Sequence, residues 1–262
     1  MNDITAAFHE YFEVVFADTP SLLENVFNLR YRILCIENKY PNVDAANYPD
    51  ELERDEYDDR SLHLLLRHRP SNTFVGTARL ICSNSSDIEQ KFPVELHTQF
   101  YSAYADLSVP RAQAVEISRF GILSDFFKRK SDLDFAINKI SKYPDISRRR
   151  RFPHPMLGLA VGIIQMCAKY GIYYWFSAME PALNRLLGFY GLQLHPIGPL
   201  TEYNGLRRPY YICLLDVLER LHANHHDIWE LATDNGRVWP ANLDAFRSIC
   251  GGRQEASYTD FA

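Results

Sequence analysis

The chain has 262 residues, 47% of them hydrophobic and 23% charged, the balance of an ordinary globular protein with material for one large core. Its net charge of −5 disfavours general nucleic-acid binding, which asks for a basic surface. The opening MNDITAAFHEYFEVVF carries acids where a secretory leader would be basic, and no apolar run nears the roughly 18 residues of a membrane span. The cysteines at 35, 82, 167, 213 and 250 form no CxxC pair, so the expectation is a cytoplasmic, disulfide-free protein with no integral membrane segment.

In chain order, PSLLENVFNLRYRILCIENK (20–39) spaces Leu22, Leu23, Val26, Leu29, Ile33 and Ile36 as a helix does, with Pro20 and Ser21 as its start. Residues 40–60 are a polar, acidic loop ending in DELERDEYDD. SLHLLLRH and TFVGTARLICS, joined by the turn at Ser71-Asn72, predict a hairpin over 61–82. FPVELHTQFYSAYADL holds a short helix or loop, and AVEISRFGIL (114–123) is the next strand. From 124 to 153 the chain is charged and irregular, ending in SRRRRFPHP. PMLGLAVGIIQMCAKYG predicts an apolar helix stopped by Gly171. IYYWFSAM is a strand, EPALNRLLGFYG a helix, LQLHPIGPL a strand and RPYYICLLDV a last strand. Residues 218–233 are helical in pattern and 234–262 are expected to be loosely attached. This order implies an α/β fold, a mixed sheet with helices on its faces.

Three groups of charges interrupt these apolar elements. Arg30 ends an otherwise apolar helix stripe, and ERDEYDD (53–59) supplies carboxylates that an inward-facing Arg30 would need. Alternation in VGTARLI puts Val75, Thr77 and Arg79 on one strand face, and the small residues Gly76 and Ala78 on the other, where a helix or ligand could come close. In AVEISRFGIL, Glu116 and Ser118 share one face; Ile117 and Arg119 share the other unless a bulge intervenes. Burying either charge alone costs several kcal/mol. Two readings stay open at this point: an internal network tying Arg30, Asp55 and Asp58 to the sheet, or a carboxylate at Glu116 placed to accept a proton.

FNLRYRILCIENKY, ERDEYDDRSLHLLL, VGTARLICS followed by FPVEL, and VEISRF, continuing through AKYGIYYWFSAMEPALNRLLGFYGL, together resemble the acyl-homoserine-lactone autoinducer synthases and their relatives in the GNAT acetyltransferase superfamily. Within it, YNGLRRPYYI (203–212) looks more like the PEP-CTERM/exosortase-associated acyltransferases and the long-chain N-acyl amino acid synthases. The resemblance covers about residues 20–217. It implies a GNAT-like sheet with a V-shaped acyl-donor cleft over 1–217, an inserted basic loop at 124–153, and a C-terminal helix and tail at 218–262.

It also implies transfer of a fatty acyl group from acyl carrier protein, or less readily from coenzyme A, to the amine of an amino acid or similar small molecule, with no permanently bound cofactor and no metal. Carried over by position, Arg30, Asp55, Asp58, Arg79, Glu116 and Arg119 match the family's charged cleft residues. Glu116 is then the general-base candidate, Glu53 a second carboxylate for that role, Arg119 their catalytic companion and Ser118 a substrate contact. The aromatic run YYWF (173–176) reads most simply as core strand, with Trp175 or Phe176 lining an acyl channel as the alternative. The alternatives are a lactone synthase using S-adenosylmethionine, or a non-catalytic relative that binds acyl chains or the carrier. Leu34 and Tyr40 stand where the synthases carry a Phe and a Trp associated with S-adenosylmethionine, which speaks against that acceptor. The acetyltransferase phosphate loop is missing as well, which speaks against coenzyme A. Arg148, Arg149, Arg150 and Arg151 form the one dense basic run, read either as a solvated loop or as a docking patch for an acidic carrier protein. His222, His225 and His226 have helical spacing but no evident further ligand, and are read as a polar helix face.

Overall fold

The computed structural model describes residues 3–40, 43–83, 90–104, 107, 109–127 and 154–249. It opens with two elements the sequence reading left unassigned, helix α1 (Asp3–Tyr11) and strand β1 (Phe12–Phe16). Phe8 and Phe12 anchor them in the core. Helix α2 (Pro20–Tyr31) starts where expected: the Thr19 hydroxyl accepts the Leu22 amide at 3.3 Å and Pro20 takes the first position. It then widens into a π-helical turn over Arg32–Glu37, closed by the Asn38 amide donating to the Ile33 carbonyl, so the helical stretch continues past Tyr31 with altered phase.

Strands β2 (Ser61–His68) and β3 (Thr73–Cys82) form the expected antiparallel hairpin. A short helix α3 (Pro93–His97) leads to β4 (Ala114–Ile122). The long apolar helix α4 (Pro155–Tyr170) follows, capped by His154 and ended by Gly171 at φ +66°. Of its first thirteen positions all but Gln165 are buried, because the sheet covers one side and later helices the other. Gly158 makes the approach to the sheet possible: a β-carbon there would stand 2.7 Å from Leu66 Cδ1 and 2.9 Å from Phe8 Cε2. A β-carbon at Gly76 would stand 3.2 Å from Ile122 Cγ1 and 3.3 Å from the Gly121 carbonyl of β4, and 3.4 Å from Leu159 Cδ1 of α4, so the neighbouring strand and the helix both close in on this residue.

The chain continues through β5 (Tyr174–Met179), α5 (Pro181–Gly188), β6 (His195–Pro196), β7 (Thr201–Glu202) and β8 (Leu206–Cys213). The strand expected over LQLHPIGPL shrinks to two residues, since Pro196 and Pro199 cannot donate to a ladder. Strand β8 stops earlier than expected, and Leu214 already begins helix α6 (Leu214–Asn224), with Leu214, Leu215, Leu218 and Leu221 facing inward. Helix α7 (His226–Thr233) then packs on α4. Residues 234–249 are not loosely attached: Trp239 and Leu243 are buried, and the Trp239 indole donates to the Ile164 carbonyl at 3.0 Å before a last helix, α8 (Asp244–Ile249).

The strands make one eight-stranded sheet in the order β1-β2-β3-β4-β5-β8-β6, with β7 paired to β8. All pairs are antiparallel except β4 with β5, which run parallel only over Ala114–Glu116 and Tyr174–Phe176. Beyond those residues β4 stays with β3 while β5 stays with β8, so the sheet forks immediately after Glu116.

Candidate active site

The fork is sharpened by a bulge. Thr77 pairs with Gly121 and Arg79 with Ser118, so one residue of β3 is set against two of β4, Arg119 and Phe120. Arg119 takes up the difference at φ +50°, a left-handed conformation costing a non-glycine residue on the order of 1–3 kcal/mol. Simple alternation would send Arg119 to the face opposite Ser118. The bulge brings both toward Arg79 and the 53–58 loop.

There three arginines and three carboxylates neutralise one another. The Arg30 Nε donates to Glu53 at 2.5 Å and its Nη1 to Asp58 at 2.6 Å. The Arg79 Nη1 donates to Asp55 at 2.5 Å and Asp58 at 2.7 Å, and its Nε to the Ser118 hydroxyl at 3.0 Å. The Arg119 Nη2 reaches Glu53 at 2.9 Å and Asp55 at 2.8 Å. The loop supports itself, with the Asp55 amide donating to Asp58 and the Tyr57 amide to Asp55. Arg30, Glu53 and Arg79 are almost wholly buried, whereas Arg32 is exposed. Removing one partner of such a buried cluster costs about 3–5 kcal/mol.

Glu53 and Glu116 occupy opposite electrostatic settings. Burial pushes the Glu53 carboxyl up, but the Arg119 and Arg30 guanidiniums outweigh it and hold the group below the usual carboxylate range. A carboxylate clamped in this way is a poor proton acceptor, and its place is in the ion cluster. Asp55 and Asp58 are likewise held low against burial, by Arg79 and by Arg30 respectively. Glu116 is just as buried but has no ion-pair partner among the described residues. Its Oε2 accepts the Val94 amide at 2.7 Å, at the first turn of α3. Burial outweighs that bond and raises the carboxyl to about 7.

Around these groups lie residues the sequence reading did not single out. Tyr203, between β7 and β8, stacks on His97 of α3 with ring centroids 4.7 Å apart. Its phenol is raised to about 12 by burial and by the Glu116 charge. His63 on β2 is buried beside Asp58 and pushed down to about 4, chiefly by burial, so it is neutral. A histidine inside the apolar run SLHLLLRH was the available signal. The fork opens into an apolar cavity of about 90 Å³, lined by Ser118, Arg119, Ile163, Trp175, Met179 and Arg207 among others. The Ser177 hydroxyl bridges the fork to the Ile117 carbonyl at 2.9 Å. Trp175 presents its ring to this cavity while its indole donates to Cys167 Sγ at 3.1 Å. A larger depression of about 690 Å³ lies beside Tyr57, Arg60 and Leu96 and includes neither Glu116 nor the arginines of the cluster.

Arg148, Arg149, Arg150 and Arg151 lie outside the described residues. His222 and His226 pack their rings on Trp229, and no group of His, Cys, Asp or Glu suited to a metal occurs among the described residues. No described helix is long and apolar enough to cross a membrane.

Residues 29–135 match the acetyltransferase (GNAT) domain, and the chain carries a GNAT-type acyltransferase domain. A structure of a CoA-dependent acyl-homoserine lactone synthase, BjaI, with SAM and isopentyl-CoA superposes with a TM-score of 0.54 at 18% identity, covering 89% of this chain and 91% of that one. TofI, in a ternary complex with an inhibitor and MTA, gives 0.52 at 19% identity, covering 81% and 96%. FeeM, an N-acyl amino acid synthase from uncultured soil microbes, gives 0.47 at 11% identity over 81% and 96%, a likeness too distant to weigh. At these identities the likeness is one of fold. No curated protein is similar to the chain by sequence.

Proposed function

We propose that this protein transfers a fatty acyl group from acyl carrier protein to the amine of an amino acid or a similar small molecule, with Glu116 as general base. The observation that carries the reading is Glu116 itself, a buried carboxyl at the strand fork with a proton affinity near neutrality. An ammonium must lose a proton before it can attack a thioester, and a base poised near the working pH is the efficient one. The Glu116 carboxylate takes that proton, and the amine nitrogen bonds to the thioester carbonyl carbon. The attached nitrogen sheds its second proton as the carbon–sulfur bond breaks, the leaving thiolate takes up that proton to become the thiol, and Glu116 later gives the first proton to solvent. The cavity beside Trp175 is suited to the start of the acyl chain. The ion cluster holds the 53–58 loop, α2 and the bulge of β4 in one arrangement.

The carrier-protein donor is supported by the state of the α4 N-terminus. His154 already accepts the Met156 amide there at 3.1 Å, and Gly158 is closed off by Leu66 and Phe8, so this helix end offers a pyrophosphate little. The test is thiol release from purified protein given acyl-carrier protein or acyl-coenzyme A and a mixture of amino acids, with the product read by mass spectrometry. Faster release from the carrier protein, together with an N-acyl product, is the expected result. Preference for acyl-coenzyme A overturns the donor assignment, and no release with either donor overturns acyl transfer.

A further inference from the structure

The apolar cavity at the fork has a closed inner end, and that end is held fast. The cavity begins just past the last pair shared by β4 and β5, Glu116 with Phe176, between Ile117, Ser118 and Phe120 on one side and Ser177 and Ala178 on the other. The bond from the Ser177 hydroxyl to the Ile117 carbonyl sets the separation of the strands there. Ser118, Phe120 and Ala178 are half-buried, whereas Ile163, Trp175, Leu187, Leu192 and Leu194 are at most 7% exposed and close the far end. Side chains clamp the segment that carries the last two. The Leu194 amide donates to the Asn184 side chain at 2.8 Å, and that side chain donates to the Leu194 carbonyl at 3.0 Å. Arg220 of α6 donates to the Gly191 and Gln193 carbonyls, both at 2.8 Å, and the Leu192 amide donates to the Leu187 carbonyl at 3.0 Å. A leucine wall on a backbone tied at this many points leaves the cavity little room to deepen, because packed interiors resist added volume.

We propose that this cavity measures the acyl chain, and that the protein transfers short acyl groups, of about four carbons, in preference to long ones. This rests on the acyl-transfer reading above, in which the chain enters at the fork, and adds the length of chain that the donor carries. The size follows from volume. An engineered protein cavity of about 150 Å³ lined by leucine, isoleucine and phenylalanine holds benzene, a molecule of six carbons. In proportion, the 90 Å³ at the fork takes about four. The lining suits a hydrocarbon: the inner wall is leucine, isoleucine and tryptophan, and the one polar hydrogen among those side chains, on the Trp175 indole, is already bonded to Cys167. A longer chain meets Leu192 or Leu194 before it ends. It has then either to displace clamped core residues or to fold back toward the mouth, where the guanidiniums of Arg119 and Arg207 stand. Both cost binding energy that a short chain keeps.

The experiment offers straight-chain acyl groups from acetyl to dodecanoyl, each as the carrier-protein and as the coenzyme A thioester, with a mixture of amino acids as acceptor, and reads thiol release and N-acyl products. Wild type should turn over butanoyl best. With shorter chains kcat/KM should fall about fourfold for each carbon lost, the worth of a buried methylene. With longer ones it should fall about 10-fold or more for each carbon that the pocket cannot take. Ile163→Ala removes about three carbons of wall and should move the optimum about two to three carbons longer, the remainder being lost to partial collapse. Ala160→Leu, on the same helix, fills about as much space and should move the optimum to acetyl or propanoyl. Opposite shifts from one helix are not produced by loss of stability, and Ile163→Ala decides alone if the bulkier variant does not fold. Best turnover of the long chains, equal turnover along the series, or an optimum that Ile163→Ala leaves in place overturns the proposal, while acyl transfer stands. If no chain length supports release from either donor, acyl transfer itself falls.

Discussion

Glu116→Gln separates stability from catalysis in a way that depends on pH. The glutamine keeps the side-chain oxygen that accepts the Val94 amide, so the first turn of α3 retains its bond. What it removes is the ability to ionise. In the folded protein the Glu116 carboxyl is raised from 4.5 to about 7, chiefly by burial. Between those two pH values the unfolded chain has released a proton that the folded chain still holds, so wild type loses stability as pH rises through that window. At about 1.4 kcal/mol for each pH unit the window spans, the loss comes to about 3 kcal/mol and is complete above the upper value. The variant has no such slope. Urea denaturation at about pH 5 should find the two proteins within about 1 kcal/mol of each other, and at about pH 8.5 the variant should be the more stable by about 3 kcal/mol. Its acyl-transfer rate should nonetheless fall by about 10²-fold or more, the range for losing a general base. A variant less stable than wild type at the higher pH, or one that keeps its rate per folded molecule, would show that Glu116 is a structural anion.

Glu53→Gln should behave in the opposite sense, costing about 3–5 kcal/mol near neutrality because Arg30 and Arg119 are left facing a neutral amide. Since the Glu53 carboxyl is held low, its stabilisation is present above the unfolded value of 4.5 and lost as pH falls further, so the wild-type advantage in urea should shrink on acidification. Replacing Arg148, Arg149, Arg150 and Arg151 together with serine should raise the KM for acyl-carrier protein and leave turnover of a short acyl-pantetheine unchanged. Loss of encounter attraction that added salt reproduces in wild type is the signature of a docking patch.

The elements best read from sequence were those whose local signals agree with their surroundings. The hairpin of β2 and β3 has β-branched and apolar runs around a polar turn, and α4 has a proline at its start and Gly171 at its end. The charge balance of Arg30, Asp55, Asp58 and Arg119 was legible because buried charges must be paired, and the structure adds Glu53 and Arg79 to the same cluster. The bulge at Arg119 was not legible, because an arginine carries no residue signature for positive φ. Nor was the α3 amide that meets Glu116 from 22 residues away, a contact set by tertiary packing alone. The different environments of Glu53 and Glu116 depend on where three arginines point, which no spacing rule specifies.

That difference is what the ion cluster accomplishes for the site. Arg79 and Arg119 both stand close enough to Glu116 to lower its proton affinity, and both do so only weakly against burial. Their charge is already taken up by Asp55, Asp58 and Glu53, so Glu116 meets an environment of nearly zero net charge, with Glu95 opposing the arginines and Val94, Tyr57 and Tyr203 as its other neighbours. Pairs of carboxyls pushed apart by their surroundings are how one fold assigns distinct roles to one residue type. Asp55→Asn tests this directly. It removes a negative charge that Arg79 and Arg119 share, and unmasks both arginines toward Glu116 without touching that residue. The Glu116 carboxyl should then fall, and the acid limb of the kcat/KM profile should move to lower pH, a displacement that partial unfolding alone does not produce. A profile that keeps its midpoint while overall activity drops would mean that Asp55 only holds the loop, and that burial by itself sets the proton affinity of Glu116.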